Sequence, residues 1–356
     1  MISVADDINI VDGQDAEDFF ARFEDLPIVT PSTPVPEVDS HRVAPVLPLT
    51  GTKMARATAF GTCGEFVQGV LSSGEHFHVT CPIQKTATVS LQTQSAADFQ
   101  IEGLDPSNDK LALAIKQAAI HMGIDPFRAH VDHWSDLHVG KGMGSSTADV
   151  VAGVRALASA YGQQLAADEI ARIAVMVESS DGSMYSGIVA FCQRSGQLLR
   201  AYKWYPQMLI VMAIPPAVFN TESASFEGKG QFASEFEQML SRLDRAVEEH
   251  DPIPFAQAAT RSAEINQMFV PNPLFEIMLE HQQSVGAEGV IVGHTGTVAG
   301  LLYPIGASKD SEESRETLRL ASHAARLLRH ELSADTQIEL TVTPQSPAHK
   351  EPEEIF

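Results

Sequence analysis

The sequence predicts an α+β fold with two lobes. Strand-like and helix-like segments follow one another in mixed order, without the regular alternation that a parallel, doubly wound sheet requires. The chain has 356 residues, of which 44% are hydrophobic and 20% charged, which is a globular composition long enough for two cores. Residues 139–147 add a local signal, because this glycine- and serine-rich stretch runs directly into an amphipathic, alanine-rich pattern.

The two ends of the chain are predicted to lie outside the fold. The first 50 residues contain ten acidic residues, two arginines and six prolines. Clustered acidic charge and frequent prolines both oppose regular packing, so we expect residues 1–55 to be a disordered acidic extension. Residues 346–356 are expected to form a tail. The folded part then divides into an N-terminal lobe, residues 56–200, and a C-terminal lobe, residues 201–345.

The elements of the N-terminal lobe follow from hydrophobic periodicity. Residues 56–71 begin as a strand and reach a glycine-punctuated turn, and residues 88–91 alternate as a half-buried strand does. The remaining predicted elements of this lobe are helices at residues 110–121, 147–161 and 168–178 and a strand at residues 128–133.

The C-terminal lobe is predicted in the same way. Its apolar runs are short and bounded by polar or glycine-rich segments, which is typical of strands separated by helices. The predicted strands are residues 208–213, 290–292, 298–302 and 337–342, with several helices between residues 231 and 285 and one at residues 312–332.

Charge and cysteine content exclude several classes of function. The formal net charge of −22 disfavours binding to nucleic acid or to an anionic membrane. No run of 18 apolar residues is present, and the acidic N-terminus lacks the pattern of a signal peptide. The three cysteines are an odd number without a C-x-x-C pair, so we expect reduced thiols in a cytoplasmic protein.

The stretch "VGKGMGSSTAD" predicts a phosphate-binding loop at a helix N-terminus. Its glycines allow positive φ and close approach of a ligand to the backbone, and its hydroxyl residues favour the start of a helix. Free N–H groups and the helix dipole at such an end attract anions. The glycine spacing fits neither a Walker A loop nor a dinucleotide fingerprint, and an ordinary capped helix remains the alternative. The residues in question are Gly140, Lys141, Gly142, Met143, Gly144, Ser145, Ser146 and Thr147.

Three further stretches carry polar side chains beside glycines. "GTCGEFVQG" contains Glu65 and Gln68, "VESSDGSMY" contains Glu178 and Asp181, and "HTGTVAG" begins with His294. Each also has a structural interpretation: a hairpin with a solvated glutamate, a turn whose aspartate bonds its own backbone, and a surface histidine. The paired histidines do not predict a zinc site, because the sequence has neither a cysteine pair nor an H-E-x-x-H motif. The sequence also lacks the G-x-S-x-G motif that would predict a serine hydrolase.

Together these stretches resemble the motifs of the GHMP kinase superfamily, in order and spacing, over about residues 56–345. The segments "GTCGEFVQG", "KGMGSSTAD" and "ESSDGSMY" are most similar to those of the L-threonine kinase branch, which is linked to coenzyme B12 biosynthesis. The resemblance implies a ribosomal-S5-like N-terminal lobe and a ferredoxin-like C-terminal lobe. It further implies ATP-dependent phosphorylation of the side-chain hydroxyl of L-threonine, with ATP and Mg²⁺ bound. The net charge predicts no nucleic-acid or membrane partner, and the size of the chain leaves a homo-oligomer as an open option.

The resemblance also implies roles for residues. The loop from Lys141 to Thr147 would bind ATP, Ser146 and Glu178 would hold magnesium, and Asp181 would be the catalytic carboxylate. Phe66 stands where the family has a histidine, and the turn after Glu178 is short, so this is a divergent branch. The implied acceptor-substrate residues are Gly64, Glu65, Gln68, His294, Thr295 and Gly296.

Two alternatives remain open at this point. A kinase of the same superfamily could phosphorylate serine, homoserine or an amino alcohol. A catalytically silent binding protein could retain the fold, although it has no chemical need for the serine pair and the carboxylates of Glu178 and Asp181.

Overall fold

The computed structural model describes residues 52–218, 225–306 and 311–344, and the predicted α+β fold with two lobes is confirmed. The expected acidic extension lies almost entirely outside these ranges, and the expected tail lies wholly outside them.

The elements agree closely with the predicted order. The strands in the described ranges are β1 (Lys53–Val70), β2 (His76–Ser95), β3 (Gln100–Glu102), β4 (Phe127–Ser135), β5 (Val189–Phe191), β6 (Leu198–Ala201), β7 (Met208–Ile214), β8 (Gly289–Val292), β9 (Ala299–Pro304) and β10 (Gln337–Val342). The helices are α1 (Asp109–His121), α2 (Ser145–Ala160), α3 (Ala167–Val177), α4 (Ala233–Glu249), α5 (Ile253–Gln267), α6 (Phe275–Gln282) and α7 (Glu312–Glu331).

The N-terminal lobe is built on a six-stranded sheet around the long strand β2. β1 pairs antiparallel with β2 along nearly its whole length, while β4 pairs with the second half of β2 and β5 with two residues near its start. Among the described strands of this sheet, only β3 and β4 run parallel. The mixed pairing is what distinguishes this lobe from a doubly wound parallel sheet.

The prediction of a glycine-punctuated turn inside residues 56–71 is wrong. β1 continues through this segment without a turn, and its register against β2 shifts at three places between Phe60 and Val67. Gly64 has a φ of +65° there. The glycines therefore permit irregularities within one strand, which bend it and redirect its side chains.

The C-terminal lobe is a four-stranded antiparallel sheet in the order β10-β7-β9-β8. Helix α5 packs against both β8 and β1, so it joins the two lobes. Its approach to β8 requires glycine, since a Cβ at Gly289 would lie 2.3 Å from the carbonyl oxygen of Ala256.

Helix α2 is the buried centre of the N-terminal lobe. It packs against β1 and β2 on one side and against α1 on the other, where a Cβ at Gly153 would lie 2.3 Å from Leu111 Cδ1. A helix fixed on both sides presents its N-terminus in a rigid position. Cys63, Cys81 and Cys192 are buried free thiols. No helix of the described ranges is both long and apolar enough to cross a membrane.

Candidate active site

The glycine-rich loop has the geometry expected of an anion site. Gly140, Gly142 and Gly144 all have positive φ, of 71°, 81° and 62°. α2 begins at Ser145, two residues earlier than predicted, with Gly144 as its N-cap in the left-handed conformation. The first hydrogen bond of the helix runs from the N–H of Ala148 to the carbonyl of Gly144 at 2.9 Å. The N–H groups of the preceding turn therefore have no intrahelical partner and are available to an anion.

The first and third glycine-rich stretches meet this loop through close backbone contacts. A Cβ at Gly64 would lie 2.1 Å from the carbonyl oxygen of Val292, and a Cβ at Gly296 would lie 2.3 Å from Gly142 Cα. Neither approach could accommodate a side chain. The three stretches, distant in sequence, thus converge at the interface of the two lobes.

Asp181 lies beside the start of α2. Its Oδ1 accepts hydrogen bonds from the N–H of Ser183 at 2.9 Å and from the Ser183 hydroxyl, whereas Oδ2 accepts none from a described residue. A Cβ at Gly144 would lie 2.5 Å from Oδ2 and 3.0 Å from Thr62 Oγ1. Burial raises the pKa of Asp181 to about 6 against the opposing bonds from Ser183, and Glu178 contributes to the rise. A carboxylate with one fixed and one free oxygen, and a pKa near 6, suits general-base chemistry.

Glu178 and Ser146 form the oxygen-rich edge of the same site. The Ser146 hydroxyl donates to Glu178 Oε1, and Lys110 Nζ donates to Oε2 at 2.6 Å. Glu178 caps the C-terminal end of α3 in an extended conformation, as the predicted helix boundary required. Among the residues that the structure describes, no group of three or more His, Cys, Asp or Glu side chains could hold a metal by itself.

A second polar cluster lies beneath the first stretch. Glu65 is 5% exposed, with Oε1 at 3.7 Å from His78 Nδ1. Gln68 is fully buried, and its Oε1 accepts from His294 Nδ1 at 2.8 Å. Burial raises the pKa of Glu65 well above its ordinary value, and Asp181 adds to the rise. Burial lowers the pKa of His78 to about 3 and that of His294 well below its ordinary value.

Several polar atoms of this cluster are buried without a partner among the described residues. They are Thr62 Oγ1, Glu65 Oε2, Gln68 Nε2, His76 Nδ1, both ring nitrogens of His78 and His294 Nε2. Buried polar groups are satisfied in most folded proteins, and exceptions concentrate where a ligand or water supplies the missing bond. The cluster is therefore a candidate pocket for a small polar molecule.

The side chain of Lys141 is bound by backbone carbonyls of the segment that follows β7. It is 8% exposed, and its ammonium donates to the carbonyls of Pro215 (2.8 Å), Pro216 (2.6 Å) and Ala217 (2.6 Å). These three bonds use all three hydrogens of the ammonium. Its carbonyl accepts from the N–H of Val298 at 2.9 Å, which ties the loop to the residue that precedes β9.

The third stretch is held by hydrogen bonds from side chains to backbone carbonyls. Asn272 Nδ2 donates to the carbonyls of Gly296 and Val298, and Thr297 Oγ1 donates to that of Ala217. His294 faces the polar cluster, and Thr295 is half-buried beside it.

Comparisons with known proteins agree with this geometry. A family model described as "GHMP kinases N terminal domain" matches residues 110–196. The resemblance to the GHMP kinases is confirmed. An L-threonine kinase of Citrobacter freundii is 27% identical over 253 residues, which are 70% of this chain and 86% of the relative. One of Salmonella typhimurium is 26% identical over 258 residues, covering 71% of this chain and 84% of the relative.

A solved structure extends the likeness to both lobes. The crystal structure of a homoserine kinase from Cytophaga hutchinsonii superimposes with a TM-score of 0.59, at 14% identity, over 85% of this chain and 98% of that one. This likeness concerns the fold. The GHMP kinase match and the two L-threonine kinases support a phosphotransferase acting on a small molecule.

Sequence reasoning missed three residues of the candidate site, because none of them lies in the stretches that resemble GHMP kinase motifs. Lys110 stands at the start of an ordinary helix, 68 residues from its partner Glu178. His78 and His76 are among the paired histidines that were considered only for a zinc site, although their spacing puts both rings on one face of a strand. Lys229 is fully buried beside this cluster, yet it lies in a "GKG" segment that is typical of a surface turn.

Proposed function

We propose that this protein is a kinase that transfers the γ-phosphoryl group of ATP to the side-chain hydroxyl of L-threonine, giving O-phospho-L-threonine and ADP. The observation that carries the proposal is Asp181, whose free Oδ2 lies at the last glycine of an anion-binding loop. The acceptor is supported by the two L-threonine kinase relatives. The resemblance of the motifs to that branch implies that the product would serve coenzyme B12 biosynthesis.

ATP would lie with its phosphates on residues 140–147. The unpaired N–H groups at the start of α2 and the positive end of its dipole favour the triphosphate. We infer that Lys141 acts through its backbone and by holding the loop, because its ammonium is already bonded to three carbonyls.

The residues at the edge of the loop fit a magnesium ion. Ser146 and Glu178 present a hydroxyl and a carboxylate in direct contact, and Mg²⁺ prefers such oxygen ligands together with phosphate oxygens. When bound, the ion would neutralise charge on the phosphates.

Asp181 would orient the threonine hydroxyl through Oδ2 and take its proton as the new bond to phosphorus forms. With a pKa of about 6, most of its carboxylate is ionised at neutral pH and can accept that proton. Glu65 would bind the ammonium of the amino acid, because the approach of a cation offsets the burial that raises its pKa.

The test is ADP release with Mg-ATP and L-threonine, D-threonine, L-serine, L-homoserine or 1-amino-2-propanol, comparing wild type with Asp181→Asn. We expect turnover with L-threonine, and a fall in kcat of about 10³-fold in the variant with little change in the KM for ATP. Asp136→Asn is the matched control, since Asp136 is a partly buried carboxylate that bonds the N–H of Thr86 outside the site.

The pH profile gives an independent readout. The kcat of the wild type should fall as the pH drops below about 6, because protonation removes the base form of Asp181. Asp181→Asn should lose this dependence. Turnover with another acceptor would show that the acceptor is not L-threonine and would leave the proposed mechanism unchanged. ATP binding without any turnover would favour a catalytically silent binding protein.

A further inference from the structure

Lys229 is a buried cation without a counterion among the described residues. It is 1% exposed, in the short turn of 3₁₀-helix that precedes α4. Its ammonium donates to Asn266 Oδ1 at 2.9 Å and lies 4.8 Å from the ring centroid of Phe226. Phe236 and Phe269 lie within 6 Å on other sides.

Such a placement is costly unless something compensates for it. One hydrogen bond and three aromatic rings leave the ammonium with fewer donors satisfied than it had in water. Burial lowers the pKa of Lys229 to about 7, so its cationic and neutral forms are close in free energy at neutral pH. An anion that enters the site would supply the missing partner.

Lys229 borders the polar cluster described above. Asn266, which accepts its hydrogen bond, donates to the carbonyl of His294 at 3.4 Å. The ring of Phe226 stacks on the imidazole of His294 with centroids 4.5 Å apart, so one aromatic ring contacts both the cation and the pocket. The positive charge of Lys229 also contributes to the lowered pKa values of His76, His78 and His294.

The histidines of the cluster attract an anion less strongly than Lys229 does, because they carry no charge near neutral pH. Burial keeps His78 and His294 neutral near pH 7, and their rings lie 4.3 Å apart. The cluster thus holds the carboxyl group of Glu65 and the neutral imidazoles of His78 and His294, and it borders the cation of Lys229. A free α-amino acid carries the complementary pair of charges on adjacent groups.

We propose that Lys229 binds the α-carboxylate of the acceptor, while Glu65 binds its ammonium. This inference rests on the proposed function, which it deepens by making the acceptor a free amino acid and excluding amino alcohols. The amide of Asn266 orients the ammonium of Lys229, and the neutral rings of His78 and His294 offer hydrogen bonds without competing for either charge.

The experiment compares kcat/KM for L-threonine with kcat/KM for L-threoninamide, which keeps the hydroxyl and ammonium but has no negative charge. Wild type should prefer threonine by about 10- to 100-fold, the usual value of a hydrogen bond between charged groups. Lys229→Met should reduce this preference to within a few-fold of one, with the KM for ATP unchanged. Lys85→Met, which removes a lysine paired with Glu339 at 2.5 Å, should keep the preference.

Each outcome decides the matter. A wild type that phosphorylates threonine and threoninamide equally well would overturn the role of Lys229 while leaving the kinase intact. So would a Lys229→Met variant that retains the wild-type preference. Lys229→Gln, which keeps a donor for Asn266, serves the same comparison if the methionine variant does not fold.

Failure of the proposed function has a different signature. If wild type prefers another hydroxylated amino acid, threonine is wrong as the acceptor, and the acid-to-amide ratio for that amino acid tests Lys229 in its place. If wild type phosphorylates nothing in the panel, both proposals fall.

Discussion

The two ends of the candidate site are built in opposite ways. The phosphate end is one contiguous stretch, residues 140–147, whose polar groups are backbone N–H groups and hydroxyls at a helix start. The acceptor end is assembled from β1, β2, the turn before α4, α5 and the loop before β9. Its polar atoms are buried side chains, several without partners among the described residues.

This difference indicates what each end does. The phosphates of nucleotides are invariant, and a rigid loop with backbone donors suffices to bind them. An acceptor must be distinguished from similar molecules, which requires buried polar groups that are left unpaired by the wrong ligand. The following predictions test whether binding of ATP and selection of the acceptor are separable in this way.

Among the tests of this separation, the largest effect is expected at Gly144, which lies against Asp181. Gly144→Ala places a methyl group 2.5 Å from Asp181 Oδ2 and 3.0 Å from Thr62 Oγ1, at a φ of +62°. We expect kcat/KM to fall by about 100-fold or more, because the base and the helix start are displaced together. Steady-state kinetics with ATP and the acceptor measure this loss.

Gly123→Ala is the matched control for Gly144→Ala. Gly123 has a φ of +66°, and nothing lies within 4 Å of a Cβ built there. The alanine there carries the same backbone strain, about 1 kcal/mol, without a clash. Equal loss of activity in the two variants would show that backbone strain, and not the contact with Asp181, explains the effect.

The contrast between the two ends also explains what the sequence could predict. The glycine-rich loop and α2 were predicted because their signals, glycines followed by hydroxyls and an apolar period of helical spacing, are local. The long strand β1 was misjudged at Gly61 and Gly64, where glycine spacing suggested a turn. The cause is tertiary: Gly64 is fixed by the carbonyl of Val292 from the other lobe.

The acceptor end could be predicted only in part. Glu65 and Gln68 were predicted as acceptor residues from the motif that contains them, and His294 from the third stretch. Lys229 could not be identified, because its neighbours in sequence are Gly228 and Gly230 and its burial depends on aromatic side chains from other segments. No local pattern distinguishes such a lysine from a solvated one.

An intermediate effect is expected at Glu65. Glu65→Gln keeps the shape of the side chain but cannot offer a negative charge to the ammonium of the acceptor. We expect the KM for L-threonine to rise by about 10- to 100-fold, with the KM for ATP unchanged, because a charge-assisted hydrogen bond is lost at one end only. Kinetics with each substrate varied in turn measure both constants.

The analogue 3-hydroxybutyrate, which lacks the amino group of threonine, sharpens the test of Glu65. Wild type should discriminate strongly against it, and Glu65→Gln should discriminate less. Glu75→Gln is the control, since Glu75 lies in the turn between β1 and β2, outside the cluster. A rise in the KM for ATP comparable with that for threonine would contradict the separation of the two ends.

The smallest effect on catalysis, and a clear effect on stability, is expected at Lys141. Lys141→Met leaves the carbonyls of Pro215, Pro216 and Ala217 without their donor, and removing one partner of a buried charged bond costs about 3 kcal/mol. Thermal unfolding should therefore occur several degrees lower, while the KM for ATP changes by less than about fivefold below the new melting temperature. The opposite pattern, a large rise in the KM for ATP with unchanged thermal stability, would mean that the ammonium leaves the carbonyls to bind phosphate, and that side-chain charge as well as backbone geometry holds the nucleotide.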